Sequence, residues 1–540
     1  MKLNKSYLSA LAAGLIMLAS CTKDLNTSPI DPKVQTPDLV FKNDSSYQEF
    51  AAKCYGGLIL TGLGTNGGWG DPELANGDEG VTSFLRVFWG AQEMTTDEAI
   101  NVWGDGDLNE YHIQKWSDAN SYNFMLYKRI FYNITVCNEY IRDVTPRVSG
   151  LSGTLKANVT QYLAEVRFLR ALYYYYAMDL WGNVPFVTEN ELVGHFMPKQ
   201  ISRADLFTYI EKELKAISSS LMAPNKDAKY YGRANRAASW MLLAKLYLNS
   251  EVYLGTGNKK YQECTTYCDS IINSGVYSLH TASAGTYSAY QELFLADNNQ
   301  CKEEIIFPIT SDKDFTQSYG GTTFIVHAEI GGAMSADVMG TGGWGGNITT
   351  FAFMQKFADL TGNTDKRALF YSQGTDAATA NATSGFNIAL AVSKWRNIDK
   401  GGNKVSTSDF MSNDFPLFRL ADVYLMRAEA AVRNAGTADA TSLNYVNQIL
   451  TRAYGNASGN ITLAQLTLNF ILDERGRELY WEGQRRTDLI RFGQFSSGSY
   501  VWDWKGGTKT GTPTDSYLNL FPIPAGDRAV NTNLVQNPGY

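Results

Sequence analysis

Apolar residues recur at three- and four-residue spacing through residues 121–144, 156–182, 203–221, 234–252, 259–274, 416–434, 441–454 and 463–495. Stripes of this period predict amphipathic helices, the last stretch being long enough for two. In the second stretch Ala164, Phe168, Ala171, Leu172 and Tyr175 keep to one face. Small and aromatic residues alternate from Leu243 to Leu248, and again at Tyr261, Cys264, Tyr267 and Ile271, where paired helices need close contact. Residues 163–181 with 206–221, and 420–432 with 442–452, have the same outline. The expected fold is mainly all-α, a tetratricopeptide-like scaffold of helix pairs.

Between these stretches the pattern breaks into long glycine-rich segments, residues 56–107, 318–350 and 374–403, and the tail after 495 is similar. Irregular segments of this length are functional or disordered. These carry Trp69, Trp89, Trp103, Tyr319 and Trp344, which argues for a built surface, with glycine permitting close approach of a ligand. Trp181, Trp240 and Trp481 instead fall on helix stripes and are expected in the core.

Residues 1–20 have the form of a signal peptide: Lys2 and Lys5, then an apolar run from Leu8 to Leu18 that is too short for a membrane span. The run closes on Leu18-Ala19-Ser20-Cys21, which resembles a bacterial lipobox with Cys21 as the lipidated residue. A polar, proline-punctuated stretch to Pro32 reads as a tether, and residues 21–540 as a single domain.

Net charge is −7 and no basic patch stands out, which excludes nucleic acid as the partner. Cys54, Cys137, Cys264, Cys268 and Cys301 are odd in number and irregularly spaced, unlike a disulfide framework. Cys264 and Cys268 are one helical turn apart but have no His or Cys pair nearby, so helix packing is preferred to metal ligation. Nucleophile-elbow, phosphate-loop and His-based zinc motifs are missing, and His112, His195, His280 and His327 are scattered. The acid pairs Asp78/Glu79 and Asp97/Glu98 are the candidates for a glycoside hydrolase, and nothing marks them as catalytic.

Five segments, in this order and spacing, resemble the SusD/RagB family of glycan-binding lipoproteins. They are Glu165-Val-Arg-Phe-Leu-Arg-Ala-Leu-Tyr-Tyr with Leu180-Trp-Gly-Asn-Val-Pro; Arg233-Ala-Asn-Arg-Ala-Ala through Leu246-Tyr-Leu-Asn; Pro416-Leu-Phe-Arg-Leu-Ala-Asp-Val-Tyr-Leu-Met-Arg-Ala-Glu-Ala; the run from Glu474 to Gly493; and Phe521-Pro-Ile-Pro. Their charged residues Arg475, Glu478, Glu482, Arg485, Arg486 and Asp488 are at helical spacing and predict ion pairs tying the last helix to the repeats. The resemblance implies a non-catalytic cell-surface protein of a Gram-negative outer membrane, held by its lipid. Its expected partner is a SusC-like TonB-dependent transporter, to which it passes captured oligosaccharides.

Similarity to the starch-binding branch runs through Gly77-Asp-Glu-Gly, Phe84-Leu-Arg86, Thr96-Asp-Glu, Val102-Trp103, Tyr319-Gly-Gly, Gly342-Gly-Trp344 and Val501-Trp-Asp-Trp-Lys-Gly-Gly. It implies an aromatic arc of Trp103, Tyr319 and Trp344 for an α-glucan, with Asp78 and Arg86 as hydroxyl partners and Asn101 added. Aromatic planes suit the C–H faces of sugars, and planar donors suit their hydroxyls. Asn101 stands where that branch has a second tryptophan, and its asparagine near Gly106 is absent, so dextran rivals starch; Trp89 is a candidate to compensate. A peptide or another glycan is the alternative ligand. No cofactor is required; the family allows a structural calcium ion, with Asp105, Asp107 and Asp414 as oxygen sources and no ligands assigned.

Overall fold

The computed structural model describes residues 36–62, 70–71, 74, 78–191, 194, 196–283, 285–372, 385–386 and 390–540. Cys21, Trp69 and His195 lie outside the described residues. Two compact units divide after Tyr47; the first carries the short helix Pro37–Val40, and everything below concerns the second.

Its framework is helical: α1 (Phe84–Glu93), α2 (Ser121–Val144), α3 (Gly153–Trp181), α4 (Arg203–Ile217), α5 (Arg236–Leu248), α6 (Tyr261–Ile272), α7 (Gly321–Glu329), α8 (Leu420–Ala435), α9 (Ala440–Tyr454), α10 (Leu468–Leu479) and α11 (Arg485–Arg491). Helix α2 begins and ends where the apolar period does, with the Asn120 side chain accepting from Asn123 N at its start. Ser202, Asn235, Asp439 and Thr467 cap α4, α5, α9 and α10 in the same way. Helix α3 packs on α4, α5 on α6, and α8 on α9, which are the pairings the sequence predicts; α2 on α3 and α6 on α8 are further contacts it did not announce.

Two segments depart from the sequence reading. Residues 415–419 are not helix but a strand, β3, once the strands are numbered β1 (Ile100–Asn101), β2 (Ile305–Ile309), β3 (Phe415–Arg419). It pairs antiparallel with β2, and helix α8 starts only at Leu420. Pro416 has no N–H for a helix interior, and β3 is buried along its whole length. Conversely, α1 lies inside a segment read as irregular. All ten of its residues are buried, Arg86, Gln92 and Glu93 included, because these polar side chains meet partners inside the protein.

The predicted pairing of the last helices is present. Arg475 bonds Asp422 at 2.8 Å and Asp488 at 2.7 Å, Arg485 grips Asp97 with two bonds of 2.7 and 2.8 Å, and Arg491 grips Glu429 likewise. Arg486 differs: it donates to the Asn519 carbonyl and lies over the rings of Phe521 and Phe495. Arg419 is the centre of a buried cluster, reaching Glu304 at 3.0 Å, Glu478 at 2.6 Å and Glu482 at 2.6 and 2.8 Å. Arg452, Arg367 and Lys394 complete it, all within the interior. Of the tryptophans expected in the core, Trp181 and Trp481 are fully buried, whereas Trp240 is half-buried. The five described cysteines are free and buried.

Helix α10 ends at Leu479 and α11 starts at Arg485, and the turn between them is a junction. Trp481 takes φ +61° and Gly483 φ +74°, left-handed values uncommon for a tryptophan. Around this turn Glu93 accepts from Gly483 N and Gln484 N, Glu98 accepts from Trp481 N, and Trp481 Nε1 donates to the Glu98 carbonyl.

Two predictions follow from these buried charges. Arg419→Met leaves Glu304, Glu478 and Glu482 short of a counter-ion, and urea unfolding should show a loss of about 3–5 kcal/mol; a loss under 1 kcal/mol would be inconsistent with the cluster. Burial pushes Glu93 up from 4.5 to about 7 and Glu98 well above the ordinary carboxylate range, the latter also through the neighbouring Glu93 charge. A carboxyl with a raised folded pKa contributes fully below its unfolded value, and that contribution drains away as pH rises through the folded one. Glu93→Gln keeps an oxygen for the two backbone N–H groups and removes the titration. Between pH 4.5 and 7 its melting temperature should therefore fall less than that of the unaltered protein. Parallel curves would refute the assignment.

Candidate functional site

Trp103 lies two residues past the end of β1, which pairs antiparallel with Asn347–Ile348, so the strand register brings Trp103 beside the segment carrying Trp344. The Trp344 segment runs back along the end of α7: Trp344 N donates to the His327 carbonyl, Gly345 N to Ile330 and Gly346 N to Ala328, at 2.7–2.8 Å. Trp103 Nε1 donates to the Trp344 carbonyl at 3.2 Å, and its ring stands edge-on to Phe324 of α7. The approach is tight. A Cβ on Gly346 would come within 2.4 Å of the Trp103 ring, and one on Gly343 within 1.9 Å of the Ile330 carbonyl.

Tyr319 arrives from the segment just before α7. Its N–H donates to Glu79 at 3.0 Å, and Gly80 presses on its carbonyl, where a Cβ would sit at 2.5 Å. Its ring centroid is 6.4 Å from Trp344 and 5.3 Å from Phe410. Three predicted aromatics from three segments are thus brought together. Trp103 and Trp344 remain 39% and 37% exposed, unusual for residues so closely braced. Part of each side chain is open to solvent.

Asp78 and Arg86 pair with each other, Nη2 to Oδ2 at 3.2 Å. The arginine is buried, its guanidinium 4.5 Å over Phe324 and 6.0 Å over Trp103, while the Asp78 side chain is 54% exposed. Asp78 therefore presents the acceptor, and Arg86 holds it there. Asn101 is corrected. It is 2% exposed, donates to Asn347 Oδ1 at 2.9 Å and accepts from Trp103 N at 3.1 Å, so it positions Trp103 from behind. Trp89 is likewise no compensation: it is fully buried, with Nε1 donating to the Trp481 carbonyl.

Two residues went unseen in the sequence. His327 stacks beneath Trp344 with centroids 4.6 Å apart and planes 11° from parallel. Its ring nitrogens face the Gly342 carbonyl at 2.7 Å and the Asp409 carbonyl at 2.8 Å, joining the Trp344 segment to the one that carries Phe410. Phe410, half-buried against Tyr319, extends the aromatic row. The only cue for either was polar, glycine-rich context, which many residues share.

Of the acid pairs considered for hydrolysis, Asp97 and Glu98 are engaged in the interior. Asp97 is gripped by Arg485 and Tyr500, and Glu98 is buried under Trp481. Burial would raise Glu478, but Arg452, Arg419 and Arg367 hold it down at about 2, where it cannot serve as a general acid. Asp105 caps the helix Gly106–His112 and accepts from Tyr122, and Asp107 accepts from Ser121 N. Asp414 accepts from Ser311 N and is pushed up to about 7 by burial.

Gly346→Ala tests the architecture without touching an aromatic residue. The added methyl should displace the Trp103 ring and weaken glycan binding as much as Trp103→Ala does, with the melting temperature little changed. Full binding by this variant would show that the ring's seat is not required.

The profile described as "SusD family" matches residues 347–540, and that described as "Starch-binding associating with outer membrane" matches residues 86–248. The starch-binding protein SusD of Bacteroides thetaiotaomicron is 34% identical over 99% of this chain and 98% of its own. A SusD-like protein of Formosa agariphila is 24% identical over 84% of this chain and 88% of its own. Among solved structures, surface glycan-binding protein A from Bacteroides fluxus superposes with TM-score 0.69 at 22% identity, covering 92% of this chain and 100% of its own. The Bacteroides thetaiotaomicron protein of that name, in complex with laminarihexaose, gives 0.68 at 21% identity, over 92% of this chain and 100% of its own. With that identity along nearly its whole length, the chain belongs to the SusD family.

Proposed function

We propose that this protein captures an α-glucan at the cell surface and delivers it to a TonB-dependent outer-membrane transporter, without cleaving it. The observation that carries the ligand class is the row Trp103, Trp344, Tyr319: half-exposed rings, each fixed by backbone contacts, beside the exposed carboxylate of Asp78. Rings fixed before binding lose little entropy when a sugar face stacks on them. Asp78 supplies an acceptor for a sugar hydroxyl. The starch-binding relative, similar along the whole chain, supports α-linked glucose as the repeating unit. Lipidation at Cys21 and the surface location belong to the same reading, supported by the family description that names the outer membrane.

Stacking on an open surface limits affinity, and binding energies of about 4–8 kcal/mol, or dissociation constants of about 1 mM to 1 μM, are expected. Native gels containing amylopectin, dextran, levan, xylan or mannan test the reading, using residues 22–540 beside Trp103→Ala and Trp344→Ala. Retardation by amylopectin or dextran, abolished in both variants, is the expected result and decides between the two linkages. Retardation only by levan, xylan or mannan would replace the ligand, and retardation that survives both substitutions would move the site.

A further inference from the structure

A second cluster lies outside the aromatic row. His280 follows α6, Glu292 ends the short helix Ala289–Glu292, and Cys301 immediately precedes the segment leading into β2. One donor atom from each lies within 4.8 Å of the other two, and all three residues are buried. The segments are pinned independently of these side chains. His280 N donates to Glu304 Oε2 at 2.7 Å, Ser278 N to the Glu303 carbonyl at 2.8 Å, and Ile305 N to the Cys301 carbonyl at 3.3 Å.

The roles of the two imidazole nitrogens differ. Nδ1 lies 2.5 Å from Glu303 Oε1, and Nε2 lies 2.8 Å from Glu292 Oε2. A histidine that ligates a metal through one nitrogen and donates its other N–H to a carboxylate is the usual outer-shell arrangement of zinc sites. Here Glu303 is that carboxylate, Glu292 lies at the other nitrogen, and Cys301 completes the group. Ser283 Oγ lies 3.2 Å from Glu292 Oε1. The remaining described cysteines have other settings: Cys264 and Cys268 share a face of α6, and the Cys54 thiol adjoins Cys137.

We propose that His280 Nε2, Glu292 and Cys301 form a binding site for a borderline-soft divalent cation of the zinc class. A nitrogen, an oxygen and a sulfur donor suit zinc and reject calcium, which takes oxygen ligands. Zinc–ligand bonds of about 2.0–2.3 Å set tetrahedral N, O and S donors roughly 3.3–3.6 Å apart, so the widest pair closes by about 1.2–1.5 Å at most and the 2.8 Å pair of Nε2 and Oε2 opens by about 0.5 Å. Three protein ligands leave the fourth position to water. Binding would displace the proton shared between His280 and Glu292 and that of the Cys301 thiol, two positive charges for the two that enter. Lys400 Nζ, 3.7 Å from Glu292, keeps its place as the counter-charge. The metal would tie three loops together at the end of α6.

Titration of the metal-stripped, reduced protein with cobalt(II) reads the site directly, because a thiolate ligand gives a charge-transfer absorption that oxygen and nitrogen ligands do not. The expected result is one cobalt per chain with that band, displaced by one equivalent of zinc, and a higher melting temperature with zinc. Cys301→Ser should lose the band, while Cys264→Ser/Cys268→Ser should keep it. Cys301→Ala serves if the serine variant does not melt cooperatively. No stoichiometric cobalt, or a band that survives replacement of Cys301, would overturn the proposal and leave His280 as an imidazolium bridging two carboxylates.

Discussion

The structure depends on keeping charge satisfied inside a helical body. Glu474, Glu478 and Glu482 rise at four-residue spacing into the interior, and Arg367, Arg419, Arg452 and Lys394 meet them from separate segments. A buried ion without its partner costs several kcal/mol, so each pairing fixes the segment that supplies it. Helix α9 contributes Arg452, β3 contributes Arg419, and the loops that hold no regular structure contribute Arg367 and Lys394. Long loops would otherwise carry a large ordering entropy. These charges are what turn loop into scaffold.

The path from that interior to the aromatic row can be followed bond by bond. Lys394 donates to Glu482, and the next residue, Trp395, donates its N–H to Glu329 at the end of α7 at 2.7 Å. Helix α7 then supplies the carbonyls on which the Trp344 segment rests. On the other side, the left-handed Trp481 is held by Glu98, just before β1 and Trp103. Both flanks of the aromatic row therefore hang from the turn between α10 and α11. The strained φ at Trp481 is compensated by hydrogen bonds at its N–H and its indole, together with the edge contact to Trp89.

How far this was legible follows from what each residue answers to. Helix α2 was readable to both ends because one face is buried and the other wet, and Asn120 announces its start. Helix α1 was not, because it is only ten residues long, carries Gly90 in its interior and sits in a glycine-rich stretch. Residues 415–419 misled because their apolar content continues smoothly into α8, and only Pro416 signalled the change. In the row itself, Trp103, Tyr319 and Trp344 were found through resemblance to known glycan binders. Asn101 was placed in the right neighbourhood with the wrong role. Whether an amide faces a ligand or braces a neighbour is decided by Asn347, across a strand pair 246 residues away in the chain, and no local pattern carries that.

His327 shows why the aromatic row should act as one unit. A neutral imidazole has one N–H and can donate to one acceptor only, yet both nitrogens here face carbonyl oxygens at hydrogen-bond distance. One carbonyl belongs to the Trp344 segment and the other to the Phe410 segment, while the ring itself lies flat under Trp344. A shift of this histidine would therefore move the support of Trp344 and the spacing of Phe410 from Tyr319 together. Stacking energy depends on rings being placed before the sugar arrives. The spacing of the rings is thus fixed from below, and under the proposed function that spacing selects the ligand more than the few hydroxyl partners at the edge do.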